Sequence, residues 1–268
     1  MRADKFFAER FGSRTKASEA IEKGLVLING KKIKPKDEIK ETDEIQFITT
    51  EESFVSNGGY KLSKGLKSFD FDCLDKVFVD LGASMGGFTD CLLQNGAKRV
   101  YAVDVGESLL HESLAINTRV TIMENTNARY LSAKDFPEPI DGVVTDVSFI
   151  SLRLIFPAIK KILGEKGEAI VLVKPQFECE NKNIGKSGIV HTSAHAKIVE
   201  KVLSYANENG LYPVDIINAP IRKGKNIEYV LRLQTATAFA VTATQILAKV
   251  KELITLEKTN NIRRKEEE

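Results

Sequence analysis

The sequence predicts an α/β chain, with a mostly parallel sheet whose last strand is antiparallel and a small α+β unit ahead of it. Three observations carry this. Val77-Phe78-Val79-Asp80-Leu81 is an apolar, partly β-branched run that reaches a glycine-rich turn, Gly82 to Gly87. After the turn, Phe88, Cys91 and Leu92 share one helical face. From Val77 onward such runs alternate with helical patterns, as in a parallel sheet covered on both faces. The runs at 214–218 and 228–233 are joined only by Ala219 to Ile227, a connection short enough for an antiparallel pair. The sheet is therefore Rossmann-like.

The glycine turn implies a ligand. Glycines let the backbone approach a bound molecule closely, and the helix start beyond them offers unpaired N–H groups. Val100-Tyr101-Ala102-Val103 reads as the next strand and ends at Asp104, where an acid can accept hydrogen bonds from a ribose diol. The stretch running through Asp80, Gly82, Ala83, Ser84, Gly86, Gly87 and Phe88, together with Asp104, is the candidate site for a nucleoside cofactor.

Bulk properties narrow the class. Of 268 residues 43% are hydrophobic, enough for an α/β domain of ordinary size plus a small one. With 39 basic and 37 acidic residues the net charge is +2, so a basic surface must be local. Cys73, Cys91 and Cys179 lie far apart without ligand spacing, which suits isolated core thiols in a reducing compartment and no metal. The first residues are charged and lack an apolar signal core. The weakly polar run Ala236 to Ala248 is shorter than the ~20 residues of a spanning helix. A soluble cytoplasmic protein that does not enter the membrane is expected.

Taken in order, residues 1–47 read as a unit of two helices and a hairpin. Phe6, Phe7 and Phe11 recur at helical spacing, Ser13 caps a second helix carrying Ala17 and Ile21, and Gly24 ends it. Asn29-Gly30 marks the hairpin turn. Arg14, Lys16, Lys31, Lys32 and Lys34 stud this unit and suggest a surface that grips phosphates, although it holds nearly as many acids as bases. Residues 48–56 form a polar linker, and a helix with Lys61, Leu62, Leu66 and Phe69 opens the domain at 57–233. Further strands are expected at 120–123, 142–145 and 169–173, and helices at 87–95, 107–115, 151–163 and 193–209. Residues 234–268 add a helix through Ile246, Val250 and Ile254 and a charged end, its last eight residues disordered.

Four polar residues fall where strand ends or their flanking turns meet the ligand crevice of an open sheet. Asp146 closes the run 142–145. Lys174 closes 170–173 ahead of Pro175. Glu228 opens the last strand beside the basic turn Arg222-Lys223-Gly224-Lys225, and Lys61 lies on the helix before the first strand. Singly, each reads as a solvated residue or a helix cap. Asp146 and Lys174 are harder to dismiss because both end strongly apolar strands.

Resemblance sharpens this reading. Arg2, Asp4, Ser13-Arg14, Ala17, Ile21, Gly24, Val26 and Asn29-Gly30 resemble the small RNA-binding domain first described in ribosomal protein S-four, which makes Arg2, Ser13, Arg14, Lys16, Lys31 and Lys32 the candidate RNA contacts. Four segments resemble the TlyA family, RNA 2′-O-methyltransferases once named haemolysins and related to the FtsJ group. They are Phe54 to Leu62, Asp80 to Asp90, Thr145 to Ser151 and Val173 to Glu178. The resemblance runs from residue 2 to about 233 and implies a methyltransferase sheet, S-adenosylmethionine as donor and cytidine riboses of ribosomal RNA as acceptors. It places a catalytic Lys-Asp-Lys-Glu set on Lys61, Asp146, Lys174 and Glu228. Cofactor contacts fall on Gly82, Gly86, Phe88, Asp104 and, at the adenine, Asn127, where FtsJ relatives carry aspartate. A ribose hydroxyl must lose a proton to become nucleophilic, and the donor methyl is already activated. Lys174 is the expected base. Lys61 would favour its neutral form and steer the ribose or its phosphate, with Asp146 and Glu228 orienting both ammonium groups.

Other classes fit less well. Gly82-Ala83-Ser84-Met85-Gly86 matches a hydrolase nucleophile elbow, with His191 or His195 as partner, but it follows the first strand rather than several. The loop lacks the G-x-G-x-x-G spacing of a nicotinamide dehydrogenase. A non-catalytic RNA-binding protein with a vestigial cofactor fold is the alternative from another class, and retention of all four polar residues argues against it. The pair His191 and His195 lacks acidic or cysteine partners for a metal.

Overall fold

The structure is a computed structural model. It describes all residues except 41, 48–52, 186, 221–223 and 267–268, and only the backbone of residues 181 and 258–266. Part of the expected linker, and Arg222 and Lys223 of the basic turn, therefore lie outside the described residues. The chain divides into two compact units, Met1–Ser53 and Phe54–Glu268.

The first unit contains α1 (Ala3–Phe6), α2 (Arg14–Glu22), β1 (Val26–Ile28), β2 (Lys31–Lys32) and β3 (Ile45–Phe47), with β1 central and antiparallel to both neighbours. Asn29 and Gly30 both have positive φ, 51° and 74°, the two-residue hairpin turn that the pair predicts. Ser13 caps α2 by accepting the Lys16 N–H. The helix expected from Phe6, Phe7 and Phe11 is shorter than its spacing suggests. It closes after Phe6, and the chain turns through Phe7 to Gly12, whose φ of 76° suits glycine. Phe7 packs with Ala17, Ile21 and Val26, while Phe6 faces outward.

The second unit runs α3 (Asn57–Phe69), β4 (Val77–Leu81), α4 (Gly87–Gln94), β5 (Arg99–Val103), α5 (Glu112–Ala115), β6 (Val120–Met123), β7 (Gly142–Thr145) and α6 (Phe156–Leu163). It continues with β8 (Glu168–Val173), α7 (Pro175–Glu178), α8 (His195–Glu208), β9 (Tyr212–Asn218), β10 (Tyr229–Gln234) and α9 (Ala243–Glu266). Seven strands pair in the order β6-β5-β4-β7-β8-β10-β9. The first five are parallel, and β10 is antiparallel to both β8 and β9. The fold class read from the sequence is thus found.

Alternation along the strands builds two apolar layers. Phe78, Val144, Ile170, Leu172 and Val230 face α3 and α4, whose Leu62, Leu66, Phe88 and Leu92 complete that layer. Val79, Leu81, Val143, Val171, Val173 and Leu231 face α6, α8 and α9.

Several helices depart from expectation. Of 107–115 only α5 is helical, because Ser108 takes φ 55° just after Gly106. The expected helix at 151–163 is a 3₁₀ turn, Leu152–Leu154, followed by α6, with Pro157 fixing the new start. Beyond residue 233, Ile246, Val250 and Ile254 of α9 are buried in the larger layer. No glycine or proline interrupts α9, and it stays helical to Glu266, so residues 261–266 are not the irregular end expected. Among the described residues no helix is long and apolar enough to cross a membrane.

Candidate active site

Parallel strands deliver their carboxyl ends to one rim, and the chemistry collects there. Asp146 follows β7, Lys174 follows β8, and Glu228 precedes β10, which arrives at the same rim by its amino end because it runs the other way. Lys61 comes from α3. Ser56 caps that helix through the Gly58 N–H, and a Cβ on Gly65 would stand 2.8 Å from Val230 Cγ1, so glycine there lets α3 lie close on β10. Lys61, one turn before Gly65, is thereby set beside Glu228.

The four side chains form a continuous ladder. Lys61 Nζ is 2.8 Å from Glu228 Oε2 and 3.4 Å from Asp146 Oδ2. Lys174 Nζ is 2.6 Å from Asp146 Oδ1, an ion pair without hydrogen-bond alignment, and donates to the Asp146 carbonyl at 3.2 Å and to Ser148 Oγ at 2.7 Å. Gln176 Nε2 donates to Glu228 Oε1 at 3.3 Å and closes the far end. Lys174 is 7% exposed, and the other three members are partly buried. Such a row stabilises the fold little after desolvation; its effect is to hold charged groups in fixed positions.

A cavity of about 690 Å³ borders this ladder, in the size range of small-molecule sites. Gly82, Ser84, Asp104, Asn127, Asp146 and Ser148 are among the residues that line it. Asp104 accepts the Ser84 N–H at 2.8 Å and the Gly106 N–H at 2.9 Å, tying the glycine turn to the exit of β5. Asn127 Oδ1 accepts the Arg129 N–H and Nε, which leaves its amide donor as the group to face a ligand. Ala83 borders a smaller adjoining cleft with Ser84 and Asp104.

Asp80, Gly86, Gly87 and Phe88 do not line this cavity; they build the turn from behind. A Cβ on Gly87 would stand 2.1 Å from Ser56 Oγ, and one on Gly86, at φ 87°, 2.3 Å from Leu114 Cδ1. Asp80 is fully buried and accepts from the Thr89 N–H and Oγ1. Burial pushes its carboxyl up to about 7, with the charges of Asp146 and Asp104 adding to the rise and the Thr89 bonds opposing it.

Sequence reasoning missed Ser148, Gln176 and the Phe149–Phe177 pair. Phe149 is 91% exposed with φ 62°, an unusual conformation for a bulky residue, and its ring lies 5.0 Å from that of Phe177. Their signal was adjacency to Asp146 and Lys174. The hydrolase arrangement is not formed: His195 is buried and hydrogen-bonded to Tyr229 Oη, and among the described residues no hydrogen bond joins Ser84 to a histidine.

In the first unit, Arg2 and Arg14 both pair with Asp4, at 2.8 and 3.0 Å. Burial pushes the Asp4 carboxyl up, and the two guanidinium groups outweigh it and hold it below its ordinary value. Both arginines therefore also serve the unit's own structure. Lys16, Lys31 and Lys32 are exposed, and Ser13 is the cap of α2.

Comparison with known proteins follows this division. Residues 54–235 match the model of the FtsJ-like methyltransferases, and residues 1–45 match the S4 domain. The chain is similar to 16S/23S rRNA (cytidine-2'-O)-methyltransferase TlyA of Mycobacterium tuberculosis, 37% identical over 235 residues that cover 86% of this chain and 88% of the relative. It is 40% identical to Hemolysin A of Brachyspira hyodysenteriae over 221 residues, 81% of this chain and 92% of that one. A solved structure described as a hemolysin from Streptococcus thermophilus superposes with a TM-score of 0.74 at 38% identity, covering 97% of this chain and 98% of its own.

Proposed function

The chain belongs to the FtsJ-like methyltransferase family, and from that premise we propose that it places a methyl group on the 2′-hydroxyl of a cytidine ribose in ribosomal RNA. The observation that carries this reading is the ladder Lys174–Asp146–Lys61–Glu228, which meets the cavity wall through Asp146. The name of the Mycobacterium tuberculosis relative supports the choice of acceptor.

The cavity suits S-adenosylmethionine by its volume, by the bare backbone at Gly82 and by the carboxylate of Asp104 at the end of β5. Gly82, Ser84, Asp104 and Asn127 would hold the molecule directly, with Ala83 at the adjoining cleft. Asp80, Gly86, Gly87 and Phe88 would set the shape of the turn. When bound, it supplies a cationic, already activated methyl group. The chain's own residues then have two tasks, to align the acceptor oxygen and to remove its proton. Lys174 in its neutral form takes that proton. Asp146 fixes the position of Lys174 and shares itself with Lys61, which Glu228 holds toward the acceptor ribose or its phosphate. Phe149, 91% exposed and with its ring against that of the half-buried Phe177, offers a face on which the acceptor base can stack. Residues 1–47, with Lys16, Lys31, Lys32 and the outer edges of Arg2 and Arg14, would grip structured RNA.

The test is transfer of labelled methyl into ribosomal subunits taken from cells lacking this protein, each subunit assayed separately. The expected product resists alkaline cleavage beside a cytidine. Lys174→Ala should lower turnover by about 10²–10⁴-fold while leaving S-adenosylmethionine affinity nearly unchanged. Label in an alkali-sensitive position, or loss of cofactor binding equal to the loss of turnover, refutes the assignment.

A further inference from the structure

Lys174 is set back from the cavity: Ser148 is among the described residues that line it, and Lys174 is not. Among the described residues three oxygens stand within 3.2 Å of Lys174 Nζ, namely Asp146 Oδ1, the Asp146 carbonyl and Ser148 Oγ. A carboxylate and a carbonyl oxygen only accept, whereas a hydroxyl both accepts and donates. A lysine that serves as base must present a lone pair to a hydrogen. Of its three oxygen neighbours only Ser148 carries one, and only Ser148 joins that property to a short contact, 2.7 Å, and a place on the cavity wall.

We propose that Ser148 is a catalytic proton relay: the 2′-hydroxyl of the acceptor ribose gives its proton to Ser148 Oγ, and Ser148 gives its own to Lys174 Nζ. The proposal rests on the reading of Lys174 as the base. In the balanced step the 2′-O–H and Ser148 O–H bonds break, new O–H and N–H bonds form at Ser148 and Lys174, and the 2′-oxygen takes the methyl as the carbon–sulfur bond breaks. Serine is neutral before and after. Lys174 ends as an ammonium whose proton lies toward Ser148 Oγ, the contact seen in the structure. The local fold suits this role. Thr145 Oγ1 donates to the Leu81 carbonyl and locks the end of β7, Val147 packs against Gly82, and the left-handed turn at Phe149 directs the chain away immediately after Ser148.

Single-turnover methyl transfer by the full chain into ribosomal subunits, measured in mixtures of light and heavy water, reads the number of protons in flight. The relay predicts a curved dependence on deuterium fraction, two protons moving together; a linear dependence, or none, overturns it. In the same assay Ser148→Ala should slow transfer about 10²-fold with S-adenosylmethionine affinity unchanged. Ser148→Thr, which keeps the hydroxyl, should recover most of the rate. Alanine as fast as wild type, or threonine as slow as alanine, overturns the relay. The two readings separate cleanly. A linear dependence with an inactive Lys174→Ala removes the relay and keeps the base, whereas an active Lys174→Ala removes both.

Discussion

Asp80 is a carboxyl buried in the middle of the sheet, with one oxygen bonded to Thr89 and the other unpartnered among the described residues. Burial raises it from an ordinary 3.8 to about 7. The sign of the consequence is fixed by which state keeps the proton. Below about pH 4 both folded and unfolded chains hold it, and the group is neutral to stability. Between there and about pH 7 the unfolded chain releases the proton while the folded chain retains it, so stability falls as pH rises, and the loss levels off above. At about 1.4 kcal/mol per pH unit the full loss is about 4 kcal/mol. Asp80→Asn keeps the shape and an acceptor for Thr89 but cannot titrate. The stability of the variant relative to wild type should therefore rise by about 2.5 kcal/mol from pH 5 to pH 8. Urea unfolding followed by circular dichroism at several pH values across that range measures it. Other titrating groups are common to both proteins and cancel in the difference. A difference that stays flat refutes a protonated Asp80 in the folded chain.

Two further outcomes follow from packing. Gly86→Ala forces a Cβ to 2.3 Å from Leu114 Cδ1 at a φ of 87°; it should cost about 1–3 kcal/mol and weaken S-adenosylmethionine binding, read by calorimetric titration. Ile246→Ala on α9, a residue 2% exposed, should cost about 2–5 kcal/mol in urea unfolding and leave cofactor affinity intact. That would place residues beyond the family match inside the folding unit.

The sheet was legible because its strands are apolar and short: Val77–Leu81, Gly142–Thr145 and Glu168–Val173 lie where their runs of β-branched residues put them. The Asn29-Gly30 turn was legible because few other pairs accept two positive φ angles. What escaped depended on the third dimension. Asp80 reads as a ligand contact in sequence because it precedes the glycine turn, yet alternation along β4 directs it into the protein toward Thr89. Arg2 and Arg14 read as free cations, and a buried acid ten residues before Arg14 claims both. The split of 151–163 into a turn and a helix follows from Pro157, a local signal outweighed by the apolar periodicity around it. Gln176 could not be assigned from sequence, since its partner Glu228 is brought to it only by strand pairing.

The place of β10 between β8 and β9 has a consequence for how the protein is made. The residues that line the cavity, all drawn from between Gly82 and Ile155, leave the ribosome before β10 exists. Until Tyr229–Gln234 emerges, β9 has no neighbour to pair with, and Lys61 lacks its contact with Glu228. The pocket can thus mature ahead of the charged ladder. A nascent chain would gain the capacity to hold its donor before the capacity to use it, and an enzyme whose proposed target is ribosomal RNA would complete its active site only once β10 has emerged.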